Sequence, residues 1–391
     1  MGSQQPDMAR ELLQHPVFYN LVEKIDQIMT KYHDWSLLDE IKNIKEQNIE
    51  RVQPILFSLQ LGLSELFKYY GISPDRVIGS SVGEVAGAYI SGALSLEDSV
   101  KVICIRNKAM CSMIGTGCMA IVKLNESDTA NFIKDFEGIY ISAVNSPTTT
   151  ILSGTEENIT KVLEAFKSKD IWARIVKGAE APSHCELMEP VKNYLLTELA
   201  DITPIKSNIS MFSTFTTQEV KGEDLIANYW WENVLRPIEL KKTIENLEQK
   251  NNCIYVELSP HPVLTSFIKE TCQSIDKNST VLASLSRDIS DLEHFFTTLG
   301  RLYQNGFEIN WEKFFTNGKL ISLPNYAWDK ESYWQDYSQD NTSKVSLGLT
   351  TRYKTDKKVK VENYELNNEI LENTPTEKRK ELISNYLRYH V

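Results

Sequence analysis

The sequence predicts an α/β protein in which a parallel-sheet domain is interrupted by a smaller inserted unit. A short apolar strand meets a tight turn and then a helix at residues 76–86. Residues 119–177 contain two strand, helix, strand patterns in succession, and residues 208–215 and 253–260 form two further strands separated by a helical stretch. These observations indicate an α/β-hydrolase-like parallel sheet domain with an inserted ferredoxin-like (split βαβ) subdomain.

Helical periodicity dominates the chain on both sides of the turn. Apolar residues at helical spacing predict helices over 7–13, 17–31 and 53–71, with Pro16 between the first two and Gly71 at the end of the third. After the turn, one helix should end near Gly92, and a capping box should open the next helix over 95–110.

The inserted unit has a regular alternation of elements. In chain order we expect strand MAIVKL, a helix over 126–136, strand IYISAVN, strand TTILSG, a helix over 155–169 and strand WARIVK. Further along, a helix should end near Gly306, and the aromatic-rich stretch ISLPNYAWDKESYW follows it.

Composition excludes several classes of protein. The 391 residues include 42 Lys and Arg against 53 Asp and Glu, so the net charge of −11 argues against nucleic acid or an anionic membrane as the main partner. No apolar run has transmembrane length and the first residues are too polar for a signal peptide, so we expect a cytoplasmic protein. The cysteines form no C-x-x-C pair, and we expect neither a metal site nor disulfides.

The turn itself, RVIGSSVGE at 76–84, matches the pattern G-x-S-x-G in a strand, turn, helix context. This context lifts a serine clear of the sheet, so Ser81 is the candidate nucleophile. Because the turn opens a helix, the backbone N–H of Val82 is the candidate oxyanion donor. The alternative is a tight structural loop, since the pattern also occurs by chance.

A nucleophilic serine needs a base, and two histidines follow strands in turns. His184, in APSHCELMEP, lies directly after the last strand of the inserted unit, and His261, in ELSPHPVL, is its competitor. Arg106 lies on an otherwise apolar helix, VICIRNKAM. It either pairs with a carboxylate of the protein or binds a carboxylate of a substrate.

Several motifs in register resemble one family. In chain order they are GSSVGEVAGAYISGALSLEDSVKVICIRNKAM, NSPTTTILSG, APSHCELMEP, YWWENVLRPIEL, YVELSPHPVL and LPNYAWDKESYW. They resemble the malonyl-CoA:acyl carrier protein transacylases, and specifically the acyltransferase domains of modular polyketide synthases. The resemblance runs from Gly2 to about Trp334.

This resemblance implies a role for each matching residue. Ser81 would be acylated, and His184 would deprotonate it and later activate the carrier thiol. A backbone carbonyl would orient the histidine in place of an aspartate, with Asn233 at the matching position. Arg106 would hold the malonyl carboxylate, and Gln53 would line the pocket. His261 falls at a position that is not always histidine in the family.

The resemblance also implies substrates and partners. Val82 and the APSH sequence match the malonyl-selecting forms, so we expect malonyl-CoA as donor. No cofactor should be bound, since the coenzyme A thioester and the phosphopantetheine thiol are substrates. The expected partners are an acyl carrier domain and an adjacent ketosynthase domain of the same synthase.

The residues near the end of the chain predict a last helix, and the chain as a whole divides into five parts. Thr374, Pro375 and Glu377 should cap a helix whose apolar stripe includes Leu382, Ile383, Tyr386 and Leu387. The expected parts are a large subdomain (1–115 and 179–287), a ferredoxin-like small subdomain (116–178), a strap after the acyltransferase (288–335), a linker (336–373) and the first helix of a carrier domain (374–391).

Two departures from the family leave alternatives open. Ser80 stands where the family has histidine, and a buried strand ending in a GQG turn, whose glutamine supplies a second oxyanion N–H, is absent ahead of MGSQQPDMAREL. Loss of one such donor costs about 10²- to 10³-fold in rate. An inactive or structural remnant is therefore the second hypothesis. A serine hydrolase is the third, although the inserted unit and Arg106 argue against it.

Overall fold

The computed structural model describes residues 8–43, 49–249, 252–315, 318–319, 321–327, 373–375 and 378–384. The chain divides into two compact units, Met1–Lys319 and Leu320–Val391. In the second unit residues 378–384 form a helix, where the sequence predicts one. Most of the predicted linker (336–372), together with Glu377, Tyr386 and Leu387, lies outside the described residues.

The first unit alternates helices with short strands. Its helices are α1 (Pro16–Met29), α2 (Leu37–Asn43), α3 (Ile49–Tyr69), α4 (Gly83–Ile90), α5 (Leu96–Cys111), α6 (Glu126–Ile133), α7 (Glu156–Ser168), α8 (Lys192–Glu198), α9 (Ala227–Leu235), α10 (Leu240–Glu248), α11 (Thr265–Ser274) and α12 (Asp291–Gln304). Its strands are β1 (Arg76–Gly79), β2 (Cys118–Val122), β3 (Ile139–Ser146), β4 (Thr149–Gly154), β5 (Ala173–Ile175), β6 (Ser210–Ser213), β7 (Glu219–Val220), β8 (Ile254–Glu257) and β9 (Thr280–Ala283). Short 3-10 helices lie at Glu11–Gln14, Glu186–Val191, Gly222–Asp224 and Trp311–Lys313.

Helix α3 begins one turn earlier than its pattern predicts. The predicted start at Gln53 was wrong, because Pro54 lies inside the helix rather than in its first turn. Pro54 has no N–H to donate to the carbonyl of Glu50. The side-chain amide of Asn107, on α5, donates to that carbonyl instead. At the other end Gly71 has φ 93, which confirms the expected left-handed cap.

Strand β1 leads into the serine turn and pairs in parallel with β6. Their register runs from Arg76 opposite Ser210 to Gly79 opposite Ser213, and β7 continues the sheet in antiparallel orientation. Strands this far apart in sequence can pair in parallel because helical segments cross between them. The predicted return of residues 208–215 to the sheet of the serine turn is confirmed.

Strand β8 does not return to that sheet, although the sequence predicts that it should. It pairs in parallel with β9 as a separate two-stranded sheet. Residues of β1 and β8 instead line one cavity of about 1050 Å³. Among the described residues, β1 pairs only with β6 and β8 only with β9, so each strand keeps an unpaired edge.

The inserted unit is a four-stranded antiparallel sheet in the order β3-β4-β2-β5. Strands β2 and β3 are joined through α6 but are separated in the sheet by β4, which is the split βαβ arrangement. Helices α6 and α7 contribute Ile133, Ile159, Val162 and Phe166 to a small apolar core with this sheet. The predicted ferredoxin-like subdomain is confirmed.

Another apolar core joins the inserted sheet to the region of α10, α11, β8 and β9. The backbone takes part in this junction, since the N–H of Val144 donates to the carbonyl of Ile238 and the N–H of Ile238 donates to that of Ser142. The inserted unit is thereby fixed next to the turn between β1 and α4.

Candidate active site

Ser81 lies in a strained turn between β1 and α4. Its φ is 53, in the left-handed region that side chains other than glycine rarely adopt. Gly79 allows this turn, because a Cβ at that position would lie 2.3 Å from the backbone N and Cα of Glu84. The carbonyl of Ser81 accepts the N–H of Glu84, so the serine lies at the start of the helix.

His184 contacts the serine across 103 positions of sequence. Its Nε2 lies 2.8 Å from Ser81 Oγ, and its Nδ1 lies 3.0 Å from the carbonyl oxygen of Arg236. Since a carbonyl oxygen can only accept, the proton belongs on Nδ1 and Nε2 is free to accept the serine hydroxyl. His184 also has a left-handed φ of 61, and its N–H donates to the carbonyl of Val234.

The structure corrects the predicted role of Asn233. The carbonyl that orients His184 belongs to Arg236, whereas the side chain of Asn233 contacts two other groups. Its Oδ1 accepts from Nε of Arg106 at 3.1 Å, and its Nδ2 lies 3.4 Å from the carbonyl oxygen of Ser81. Asn233 therefore orients the arginine and the serine rather than the histidine.

Arg106 is fully buried and reaches the nucleophile. Its Nη2 donates to Ser81 Oγ at 2.9 Å, and its Nη1 donates to Oε1 of Gln53 at 2.7 Å. Burial lowers the pKa of Arg106 to about 10, and the negative charge of Glu84 opposes that shift. The guanidinium therefore carries its charge at neutral pH. No described residue places a carboxylate within ion-pair distance of it.

The histidine is held in its neutral form. Burial lowers the pKa of His184 to about 3, and the positive charge of Arg106 acts in the same direction. At neutral pH its Nε2 is consequently unprotonated and can accept a proton from Ser81. A negative charge that pairs with Arg106 would weaken this effect and make the imidazole a stronger base.

Of the remaining predicted residues, three lie at this site and one does not. Gln53, Ser80 and Val82 all line the same cavity as Ser81. Val82 immediately precedes α4. Backbone N–H groups at the start of a helix have no hydrogen-bond acceptor within the helix. His261 does not reach the serine, since its ring accepts the N–H of Arg287 and its backbone carbonyl accepts from the hydroxyl of Ser259.

The resemblance implied that a backbone carbonyl orients His184, but sequence reasoning did not find which residues hold the histidine. Val234 and Arg236 do so through their backbone carbonyls, so no side-chain pattern could reveal them. Within the described part of the chain, no group of three or more His, Cys, Asp or Glu residues is arranged to hold a metal ion. No helix among the described residues is long and apolar enough to cross a membrane.

The fold and the site together define a class of enzyme. A serine in a strand-to-helix turn, bonded to a histidine and an arginine beside an inserted ferredoxin-like unit, is a site built for chemistry at a serine hydroxyl. The family model of the acyl transferase domain matches residues 1–308. The chain belongs to that family and is an acyltransferase.

Individual relatives are polyketide synthases. The chain is 33% identical over 356 residues to polyketide synthase GfsB of Streptomyces halstedii, covering 89% of this chain and 6% of that protein. The acyltransferase domain from module 8 of the salinomycin polyketide synthase superposes with a TM-score of 0.76 at 30% identity, covering 80% of this chain and 75% of that one. A loading acyltransferase from the avermectin modular polyketide synthase gives 0.73 at 29% identity, covering 77% and 97%.

Proposed function

We propose that the chain transfers a malonyl group from malonyl-CoA to the phosphopantetheine thiol of an acyl carrier domain, through an acyl-serine at Ser81. The observation that carries this proposal is the charge of Arg106. Its guanidinium is fully buried beside the serine hydroxyl, and no described carboxylate pairs with it. An unpaired buried charge is unfavourable, and a substrate with a free carboxylate next to its thioester would supply the missing partner.

In the first half-reaction His184 acts as the base. Its Nε2 takes the hydroxyl proton while Ser81 Oγ attacks the thioester carbon, and the carbonyl electrons move to oxygen next to the N–H of Val82. When this intermediate collapses, the C–S bond breaks. The coenzyme A thiolate leaves and takes the proton from His184.

The second half-reaction runs the same steps with a different thiol. His184 removes the proton of the phosphopantetheine thiol, and the sulfur attacks the carbonyl carbon of the acyl-serine. The C–O bond to Ser81 then breaks, and the serine oxygen recovers the proton from His184. Two steps with one base replace a direct transfer between thiols.

The malonyl carboxylate would also change the base. The positive charge of Arg106 helps to lower the pKa of His184, so pairing of this charge with a carboxylate would raise that pKa toward its ordinary value. A donor with a carboxylate would thus speed the transfer of its own acyl group to Ser81. Val82 and the APSH segment, which resemble malonyl-selecting forms, support the same donor.

The setting proposed for this reaction is polyketide biosynthesis in the cytoplasm. The acyl carrier domain and an adjacent ketosynthase domain of the same synthase would be the partners. The relatives that support this proposal are much longer than this chain, which spans 6% of GfsB. An inactive or structural remnant is the second candidate, and the edges of β1 and β8 that stay unpaired among the described residues are the observation that favours it.

Intact mass after incubation with malonyl-CoA tests both candidates. We expect one malonyl adduct on the wild-type protein and on Ser80→Ala, because Ser80 lines the cavity without contacting His184. Ser81→Ala should carry no adduct. An adduct that persists in Ser81→Ala would refute the assignment, and a wild-type protein that stays unmodified would support the remnant. Rapid loss of the acyl group to water would indicate a hydrolase.

A further inference from the structure

A buried carboxylate lies directly behind the nucleophile and takes no part in the chemistry proposed above. Glu84, three residues after Ser81, is fully buried. We propose that Glu84 is a positioning residue, which holds helix α9 against the nucleophile's helix and thereby sets the positions of both His184 and Arg106.

Both carboxylate oxygens of Glu84 are used. Its Oε1 accepts from the N–H and the hydroxyl of Thr214, at 2.8 and 2.9 Å, and from the hydroxyl of Ser213 at 3.3 Å. Its Oε2 accepts from the Tyr229 hydroxyl at 2.5 Å. Four donors suit a carboxylate, which can only accept. They oppose the effect of burial, which raises the pKa of Glu84.

Tyr229 connects this carboxylate to the active site through α9. Asn233 lies four residues after Tyr229, one turn further along the same face of the helix. Asn233 contacts Arg106 and the carbonyl of Ser81. The carbonyls of Val234 and Arg236, at the end of the helix, hold His184. A shift of α9 would therefore move the arginine and the histidine together.

The charge of Glu84 has a second effect. Among the described groups, Glu84 is the carboxylate whose negative charge favours the charged form of Arg106. Removing this charge would lower the pKa of the buried guanidinium further. Glu84 thus acts on Arg106 in two ways. It fixes the position of the guanidinium through α9, and its negative charge stabilises the charged form. Truncating a buried network of this kind affects every member, because none can find water as a new partner.

The inference rests on the proposed function, so the experiment needs a readout that does not involve malonyl-CoA. An alkyl fluorophosphonate provides one, because the serine oxygen displaces fluoride from phosphorus and the histidine takes the serine proton. The second-order rate of labelling at Ser81, measured by intact mass at neutral pH, then reports how Ser81 and His184 are placed without any need for malonyl-CoA.

The decisive variants are Glu84→Gln, which keeps the shape of the side chain, and Tyr229→Phe, which removes only the hydroxyl. We expect Glu84→Gln to slow labelling at least about tenfold, because sub-ångström misplacement of a catalytic group is costly. Tyr229→Phe should slow labelling by a smaller factor. The double variant should be no slower than Glu84→Gln, since both changes break the same connection.

Glu248→Gln is the matched control. Glu248 is also fully buried and also accepts a tyrosine hydroxyl, that of Tyr255 at 2.9 Å, but it contacts neither Ser81 nor α9. It should lower the melting temperature and leave the labelling rate unchanged.

Three results would overturn the inference. The first is an unchanged labelling rate in Glu84→Gln, and the second is an equal loss of rate in Glu248→Gln. The third is a double variant whose rate is slowed by the product of the two single effects. If Glu84→Gln does not fold, an unchanged rate in Tyr229→Phe refutes the proposal by itself. Normal fluorophosphonate labelling without malonyl transfer would instead refute the proposed function and leave the role of Glu84 standing.

Discussion

Ser81 and His184 each adopt a left-handed backbone conformation, with φ values of 53 and 61. Such conformations cost about 1–3 kcal/mol for each residue and persist only where surrounding contacts fix them. Ala9, Asp170, Thr217 and Asp276 share this feature, but only Ser81 and His184 of the six bond to each other. Two of these six residues therefore form the pair whose relative position matters most for proton transfer.

Arg106 should determine which acyl group is accepted. In Arg106→Ala we expect the ratio of malonyl to acetyl transfer to fall about 10- to 100-fold, since hydrogen bonds to charged groups contribute about 1.5–3 kcal/mol. Competition between the two coenzyme A thioesters, read by intact mass, measures this ratio. Arg301→Ala, an exposed arginine on α12, is the control. An unchanged ratio in Arg106→Ala would mean that the arginine is structural.

The variant Arg106→Ala should also change the pH dependence of fluorophosphonate labelling at Ser81. Because the charge of Arg106 helps to lower the pKa of His184 to about 3, its removal should raise that pKa. Protonated His184 cannot accept the serine proton, so fluorophosphonate labelling should begin to fail at a higher pH in the variant. If labelling of the variant is lost at the same pH as labelling of the wild type, burial alone sets the pKa of His184.

The turn between β1 and α4 depends on close approach of two backbone segments. In Gly79→Ala the new Cβ would lie 2.3 Å from Glu84, in contact with backbone atoms that cannot move away without shifting α4. We expect a loss of stability of about 1–3 kcal/mol, as for overpacked cores, together with slower labelling of Ser81.

Gly87→Ala, in the middle of the same helix, is the matched control for that substitution. Its Cβ would lie 3.6 Å from the side chain of Met211, an ordinary contact. It should stabilise the protein by about 0.5–1 kcal/mol, since glycine is unfavourable within a helix. Urea unfolding of both variants checks the pair. Equal stability of Gly79→Ala and the wild type would contradict the close-packed turn.

A cavity lies between β1 and β8, which belong to separate sheets of the first unit. Strands β1 and β8 line it, and neither uses its second edge among the described residues. Backbone N–H and C=O groups on such edges must bond to water or to another strand. The resemblance to the family implies a strand at this place, with a turn that brings a second oxyanion donor to Ser81.

We therefore predict that an apolar strand with a GQG turn, joined ahead of Met1, will raise both the melting temperature and the rate of malonyl transfer. A second oxyanion donor should contribute about 10²- to 10³-fold in rate. The control carries proline at alternate positions of the added strand, because proline cannot donate to a sheet. Equal melting temperatures and rates for the two fusions would show that the cavity does not accept a strand.

Local sequence was sufficient for most elements and for the nucleophile. The serine turn, the order of elements in the inserted unit and the existence of α1, α3 and α5 follow from residue spacing over fewer than about 20 positions, whereas α2 and α8 were not predicted. Gly71 illustrates why, because a glycine after a helical pattern predicts a left-handed cap whatever lies around it. Pro54 marks the limit, since its place inside α3 depends on Asn107 from another helix.

Only the tertiary structure decided how the site is assembled. The sequence offered His184 and His261 as bases, and packing brought one of them to Ser81. The sequence suggested Asn233 as the residue that orients His184, whereas the carbonyl of Arg236 makes this contact. A backbone carbonyl is the same group in every residue, so its role depends on where the chain passes and leaves no trace in residue type. The charge of Arg106, by contrast, was visible in the sequence from the start. That no described carboxylate pairs with it could be known only once distant segments had packed together.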